Sequence, residues 1–133
     1  MRHTPTDYAA TIAAHMRAGC DLERVTAGLE LCAGLRQLWE FPGGCVGFLR
    51  AEWHSLPWFA AKDWAAMCAL PVHELSGGPV LYVAEILALQ PGYVLPVTRA
   101  LAQLPGVEAL AAHRDEGSRW KVQKVRHELG RRK

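Results

Sequence analysis

Ten consecutive residues, Val80 to Leu89, hold a single side chain that is not apolar, Glu85. Turn signals bracket the run, Ser76-Gly77-Gly78-Pro79 before it and Gln90-Pro91-Gly92 after it. An apolar run so bounded suits a strand buried on both faces. Ala84 to Leu89 contains good helix formers, but the Val80-Leu81-Tyr82-Val83 opening favours a strand. Beyond the turn, Leu95 to Ala102 reads as a helix with Pro96 in its first turn. A strand, a glycine-containing turn and a helix leave helix N-terminal N–H groups free to meet an anion. Gly92, Tyr93, Val94 and Leu95 are therefore candidate donors to an anionic ligand, and Arg99, further along the helix, is a candidate phosphate contact.

The other segments arrange themselves around that unit. Thr6 or Asp7 can cap a first helix to about Ala18, with Tyr8, Ile12, His15 and Met16 on one side. Asp21 can cap a second helix, whose buried stripe is Leu22, Val25, Leu29 and Cys32 and which Gly28 and Gly34 are expected to shorten. Leu35 to Phe41 and Cys45 to Glu52 read as a strand hairpin around Pro42-Gly43-Gly44. Trp53 to Trp58 reads as a loop, and Phe59 to Leu70 as a helix ended by Pro71. Val107 to Ala112 and Arg119 to Val125 are the closing strands, with a turn at Asp115-Glu116-Gly117. This order predicts an α/β (α+β) fold in one domain, 1–133, with a central, mostly antiparallel sheet, flanking helices and one crossover.

At 133 residues the chain is long enough to bury a core. No apolar run reaches membrane-spanning length, and Met1 to Asp7 lacks the apolar stretch of a secretory signal, so a cytoplasmic protein is expected. Cys20, Cys32, Cys45 and Cys68 show neither a CxxC pair nor a zinc spacing, and buried free thiols are expected. The six histidines show no metal-ligand spacing, so no metal is expected. The net charge of +2 divides unevenly: Arg119 to Lys133 carries seven Lys or Arg and one acid, or +6, leaving −4 for the remainder. That basic end, a tail from about residue 127, suits a solvated surface, with nucleic acid as the less favoured partner.

The order of elements resembles the GNAT-like acyltransferase fold, and within it the toxin-activating lysine acyltransferases. The likeness lies in an early histidine, a hairpin such as Gln37-Leu38-Trp39-Glu40 with Cys45-Val46-Gly47-Phe48, a central strand such as Leu81-Tyr82-Val83-Ala84-Glu85-Ile86, and an ending such as His113-Arg114-Asp115 with Lys121-Val122. The resemblance implies a transferase moving an acyl group from an acyl-CoA or acyl carrier protein thioester to a lysine or other amine. It places His15 near the family's catalytic histidine and puts Ala84 where the family has an aspartate, with Glu85 adjacent. Glu85 is closer to the glutamate base that ordinary GNAT enzymes carry on this strand. Gln90-Pro91-Gly92-Tyr93-Val94-Leu95 departs from the glycine-rich pyrophosphate loop of those enzymes, having one glycine and no arginine.

Acyl transfer to an amine needs a base and donors to a developing oxyanion. His15 and Glu85 are the candidate base and its partner. Trp53, Trp58 and Trp64 cluster near Pro57 and are candidate walls for an acyl chain, whereas Tyr82 and Trp120 read as core. No G-x-S-x-G nucleophile motif and no P-loop or Rossmann glycine pattern occurs. The alternative is a GNAT-fold protein without catalysis, acting through protein–protein interaction, as a homo-oligomer or as part of a larger assembly. The missing pyrophosphate loop and Ala84 favour it.

Overall fold

The computed structural model describes residues 22–41, 44–61, 64–88, 91–114 and 119–125. The expected first helix with His15, Cys20, the Asp115-Glu116-Gly117 turn and the tail from about residue 127 lie outside the described residues. Five strands form one sheet in the order β1-β2-β3-β4-β5: β1 Leu38–Phe41, β2 Gly44–Ala51, β3 Val80–Ala88, β4 Ala109–Arg114 and β5 Arg119–Lys124. The sheet is mostly antiparallel: β1 pairs antiparallel with β2 and β4 with β5, while β3 and β4 are parallel. The helices are α1 Leu22–Gly34, α2 Leu56–Ala60, α3 Trp64–Cys68, α4 His73–Ser76 and α5 Val94–Ala102. Short 3-10 turns, Trp53–Ser55 and Pro91–Tyr93, lead directly into α2 and α5. From α1 onward the α+β order expected from the sequence is present except between β2 and β3, with α5 as the crossover between the parallel strands.

The chain divides into two compact units, Met1–Phe48 with Ala84–Val97 and Leu49–Val83 with Thr98–Lys133. In the first, Val25 and Leu29 of α1 pack with Cys45, Leu87 and Leu38. Gly28 does not shorten α1, which runs 13 residues. Burial of the Val25, Leu29 and Cys32 stripe outweighs the glycine's cost of about 1 kcal/mol. The helix ends in a Schellman arrangement: the Gln37 N–H reaches the Cys32 carbonyl at 2.8 Å and the Arg36 N–H reaches that of Ala33 at 3.0 Å. Arg36, at φ 59°, occupies the left-handed position usually given to glycine. Gln37, buried, then donates its side-chain amide to the Phe48 carbonyl at 3.0 Å, while its own carbonyl accepts the Phe48 N–H at 3.0 Å. The hairpin register follows, with Leu38 opposite Gly47 and Phe41 opposite Gly44.

Within the second unit, Arg50 donates Nε to the Gly78 carbonyl at 2.8 Å and an Nη to that of Pro105 at 3.0 Å. It thereby ties the turn before β3 to the turn after α5. Gly78 lies against the Ala51 carbonyl, where a Cβ would collide with backbone. The parallel register sets Val80 beside Ala109, Leu81 beside Leu110 and Tyr82 beside Ala111.

Five expectations are corrected. Leu35 to Gln37 do not begin the hairpin strand, because their N–H groups bond back to the end of α1, and β1 starts at Leu38. Trp53 to Trp58 is helical rather than a loop, because Pro57 falls in the first turn of α2, where its missing N–H costs nothing. Phe59 to Leu70 is not one helix: α2 ends at Ala60 and α3 begins at Trp64. Val72 to Leu75, read as a lead-in, mostly coils into α4. The strand buried nearly throughout is β2, not β3: every β2 residue but Arg50 is buried, whereas Val83 to Ile86 of β3 are half-buried.

Candidate functional site

Glu85 lies half-buried on β3. Its neighbours in the first unit are thiols. Burial, followed by the charges of Glu85 and Cys45, pushes the Cys32 thiol up to about 12. Burial, followed by the charges of Glu40 and Glu85, does the same to Cys45, also to about 12. Both thiols stay protonated near neutral pH, which disfavours the thiolate, the nucleophilic form. The expectation of buried free cysteines holds for these two; Cys68 is exposed, because Met67 takes the inward position on α3.

The turn after β3 is open. Gly92 is exposed, and a Cβ built there would meet nothing within 4 Å. Tyr93 is half-buried against Phe41, ring centroids 5.5 Å apart and tilted by 35°. Val94 and Leu95, the first residues of α5, are exposed. Arg99 is exposed in the last turn of α5. Pro96 sits in the first helical turn, as expected. His15 lies outside the described residues.

Two clusters in the second unit were not assembled by sequence reasoning. In the first, Tyr82 of β3 meets His113 of β4 and Trp120 of β5. Tyr82 Oη and His113 Nδ1 are 3.2 Å apart, and His113 Nε2 is 3.1 Å from the Ala60 carbonyl. A carbonyl only accepts, so Nε2 carries the proton, and in the neutral ring Nδ1 accepts from the Tyr82 hydroxyl. The Trp120 ring lies 4.8 Å from His113, and Phe59 packs edge-on against Tyr82 at 5.0 Å. The expectation of Tyr82 and Trp120 as core is met for Tyr82, which is buried, while Trp120 is half-buried. The register His113↔Trp120 makes this meeting, and nothing in the spacing of the residues announces it.

The second cluster joins the Trp53–Ala60 helical run to α4. His54 Nε2 lies 2.8 Å from Glu74 Oε1, and Ser55 Oγ donates to the same oxygen at 3.2 Å. Ser55 is fully buried, Glu74 is partly covered, and the His54 side chain is 68% exposed. Trp53 and Trp58 are both 41% exposed, which leaves them available to a ligand or partner rather than absorbed in packing. Trp53 Nε1 donates to Glu108 Oε1 at 3.2 Å. The signal for this cluster was present as His54, Ser55 and Trp58 at helical spacing, but it was hidden while Trp53 to Trp58 read as a loop.

Among the described residues no group of three or more His, Cys, Asp or Glu side chains could hold a metal ion, and no helix is long and apolar enough to cross a membrane. No protein-family model, curated protein or solved structure matches the chain.

Proposed function

We propose that this chain is a GNAT-like N-acyltransferase that moves an acyl group from an acyl-CoA or acyl carrier protein thioester to a lysine or other amine. The observation that carries the reading is the β3-α5-β4 crossover. In a mostly antiparallel sheet it is a parallel pair, and its helix begins at an exposed glycine turn. Ligands of sheet proteins with helical crossovers gather beyond the carboxyl ends of such strands. Gly92, Tyr93, Val94 and Leu95 supply the donors in this reading, Arg99 a cation, and Glu85 with His15 the base and its partner. The acyl carrier protein donor fits the absence of the glycine-rich pyrophosphate loop.

The test is transfer of a radiolabelled acyl group to a lysine peptide or a small amine. Acyl-CoA and acyl carrier protein are offered as separate donors. Labelled acceptor is expected from one of them, and Glu85→Gln is expected to lower the rate by about a hundredfold, the usual size of a lost general base. No transfer and no donor binding at millimolar concentration overturns the reading.

A second reading, an interaction component without catalysis, is favoured by the exposed Trp53, Trp58 and Val72. It expects His15→Ala and Glu85→Gln to leave partner capture intact while Trp58→Ala abolishes it.

A further inference from the structure

His54 is held in a way that leaves one face of its ring ready for chemistry. The Glu74 carboxylate accepts at 2.8 Å from Nε2, so in the neutral ring the proton sits on Nε2 and the lone pair on Nδ1, in a side chain that is 68% exposed. Nδ1 has no partner among the described residues. The carboxylate is itself anchored, because the buried Ser55 hydroxyl donates to the same oxygen at 3.2 Å. The hydrogen bond from His54 first, with that from Ser55 adding, holds the Glu74 carboxyl below its ordinary range despite the opposing pull of burial. It is thus the anion that faces the ring. A nucleophile or base oriented by a second group, which is oriented in turn by a third, is the general logic of covalent acyl-transfer sites.

The surroundings fit an acyl group. Trp53–Ser55 and Leu56–Ala60 form one helical run, so His54 and Trp58, four residues apart, share a face. Both are exposed on it, while Ser55 and Phe59, also four apart, are buried on another. An indole one turn from a free imidazole nitrogen is an apolar shelf beside a nucleophile. The titratable neighbour on α4 is His73, and no charged residue follows His54 in its own run up to Ala60.

We propose that His54, oriented by Glu74 and Ser55, is a nucleophilic acyl-accepting site for thioesters and activated esters whose apolar acyl chain lies along Trp58. The proposal takes its substrate class from the acyltransferase reading, but its residues are independent of Glu85 and the Gly92 turn. In the step, the Nδ1 lone pair attacks the carbonyl carbon and forms a C–N bond. The C–S or C–O bond breaks, and its electron pair leaves on the thiolate or alkoxide. The Nε2 proton passes by way of Glu74 to the departing anion or to water, leaving a neutral acylimidazole. An amine, or water, then takes the acyl group and restores the ring. Glu74 and Ser55 are positioning residues.

The experiment follows nitrophenolate release from nitrophenyl acetate and nitrophenyl octanoate by the full chain, across pH. His54→Gln is expected to lower the second-order rate by about tenfold or more, and Glu74→Gln by about threefold with a changed pH profile, which a purely structural role leaves unmoved. Activity is expected to vanish in acid, where the protonated ring has no lone pair. Trp58→Ala is expected to slow the octanoate and spare the acetate. Because a variant can fail to fold, the folded wild-type protein is also treated with diethylpyrocarbonate: carbethoxylation mapped to His54 should abolish release, and hydroxylamine should restore it. The proposal is overturned by a wild-type rate no greater than that of methylimidazole at the same concentration. It is equally overturned by a folded His54→Gln protein, or a protein carbethoxylated at His54, that retains the full rate. Ester cleavage without transfer from acyl-CoA or acyl carrier protein keeps this site and removes the donor reading; donor transfer with no His54-dependent ester cleavage does the reverse.

Discussion

A single residue shows how local strain enters this chain. Arg36 occupies the left-handed position that closes the Schellman end of α1, a conformation in which its Cβ crowds the following carbonyl. Replacing it with glycine removes that crowding but also loosens the unfolded chain. The net expectation for Arg36→Gly is a gain of about 0.5–1 kcal/mol, read as a higher urea midpoint with an unchanged m-value. The next residue, Gln37, is a buried polar group directly before β1. Its amide reaches a backbone carbonyl of the neighbouring strand, so it extends the ladder with side-chain atoms.

Among elements, the contact between α1 and β2 depends on a missing side chain. A Cβ at Gly47 would come within 3.0 Å of both Cys32 Cβ and Sγ, and the Leu29 side chain lies 3.4 Å away. Helix and strand are already at closest approach, so Gly47→Val overpacks the interface. It is expected to cost about 1–3 kcal/mol in equilibrium unfolding. The same closeness explains why β2 is buried almost throughout although its sequence, GCVGFLRA, is less apolar than that of β3. Hydrophobicity marked Val80 to Leu89 as the interior strand; coverage by neighbours made β2 more so. The hairpin itself, by contrast, was legible from Pro42-Gly43-Gly44, although its register was not, and that register brings Trp39 edge-on to Phe48 at 5.8 Å, a diagonal cross-strand pair.

At the level of the whole molecule, the buried thiols link folding to pH. Cys32 and Cys45 rise from 9.0 to about 12 on folding. A group whose pKa is raised in the folded state contributes stability that is complete below the unfolded value and is lost as pH climbs through the folded one. Stability is therefore expected to decline from about pH 9 toward about pH 12, and a Cys32→Ala, Cys45→Ala protein should lose less of its own neutral-pH stability over that span, in urea titrations at successive pH values. The hairpin, the central strand and the crossover to the closing strands were readable in the residues alone, since apolar runs and Gly/Pro punctuation are local properties of the chain. The short helices were not, because Pro57 breaks a helix in its interior and begins one at its edge, and only the fold says which. The His54, Ser55 and Glu74 cluster and the Tyr82, His113 and Trp120 cluster were also invisible. Ser55 and Glu74 lie 19 residues apart and Tyr82 and His113 lie 31 apart, and strand pairing and helix docking, which act across space rather than along sequence, brought them together.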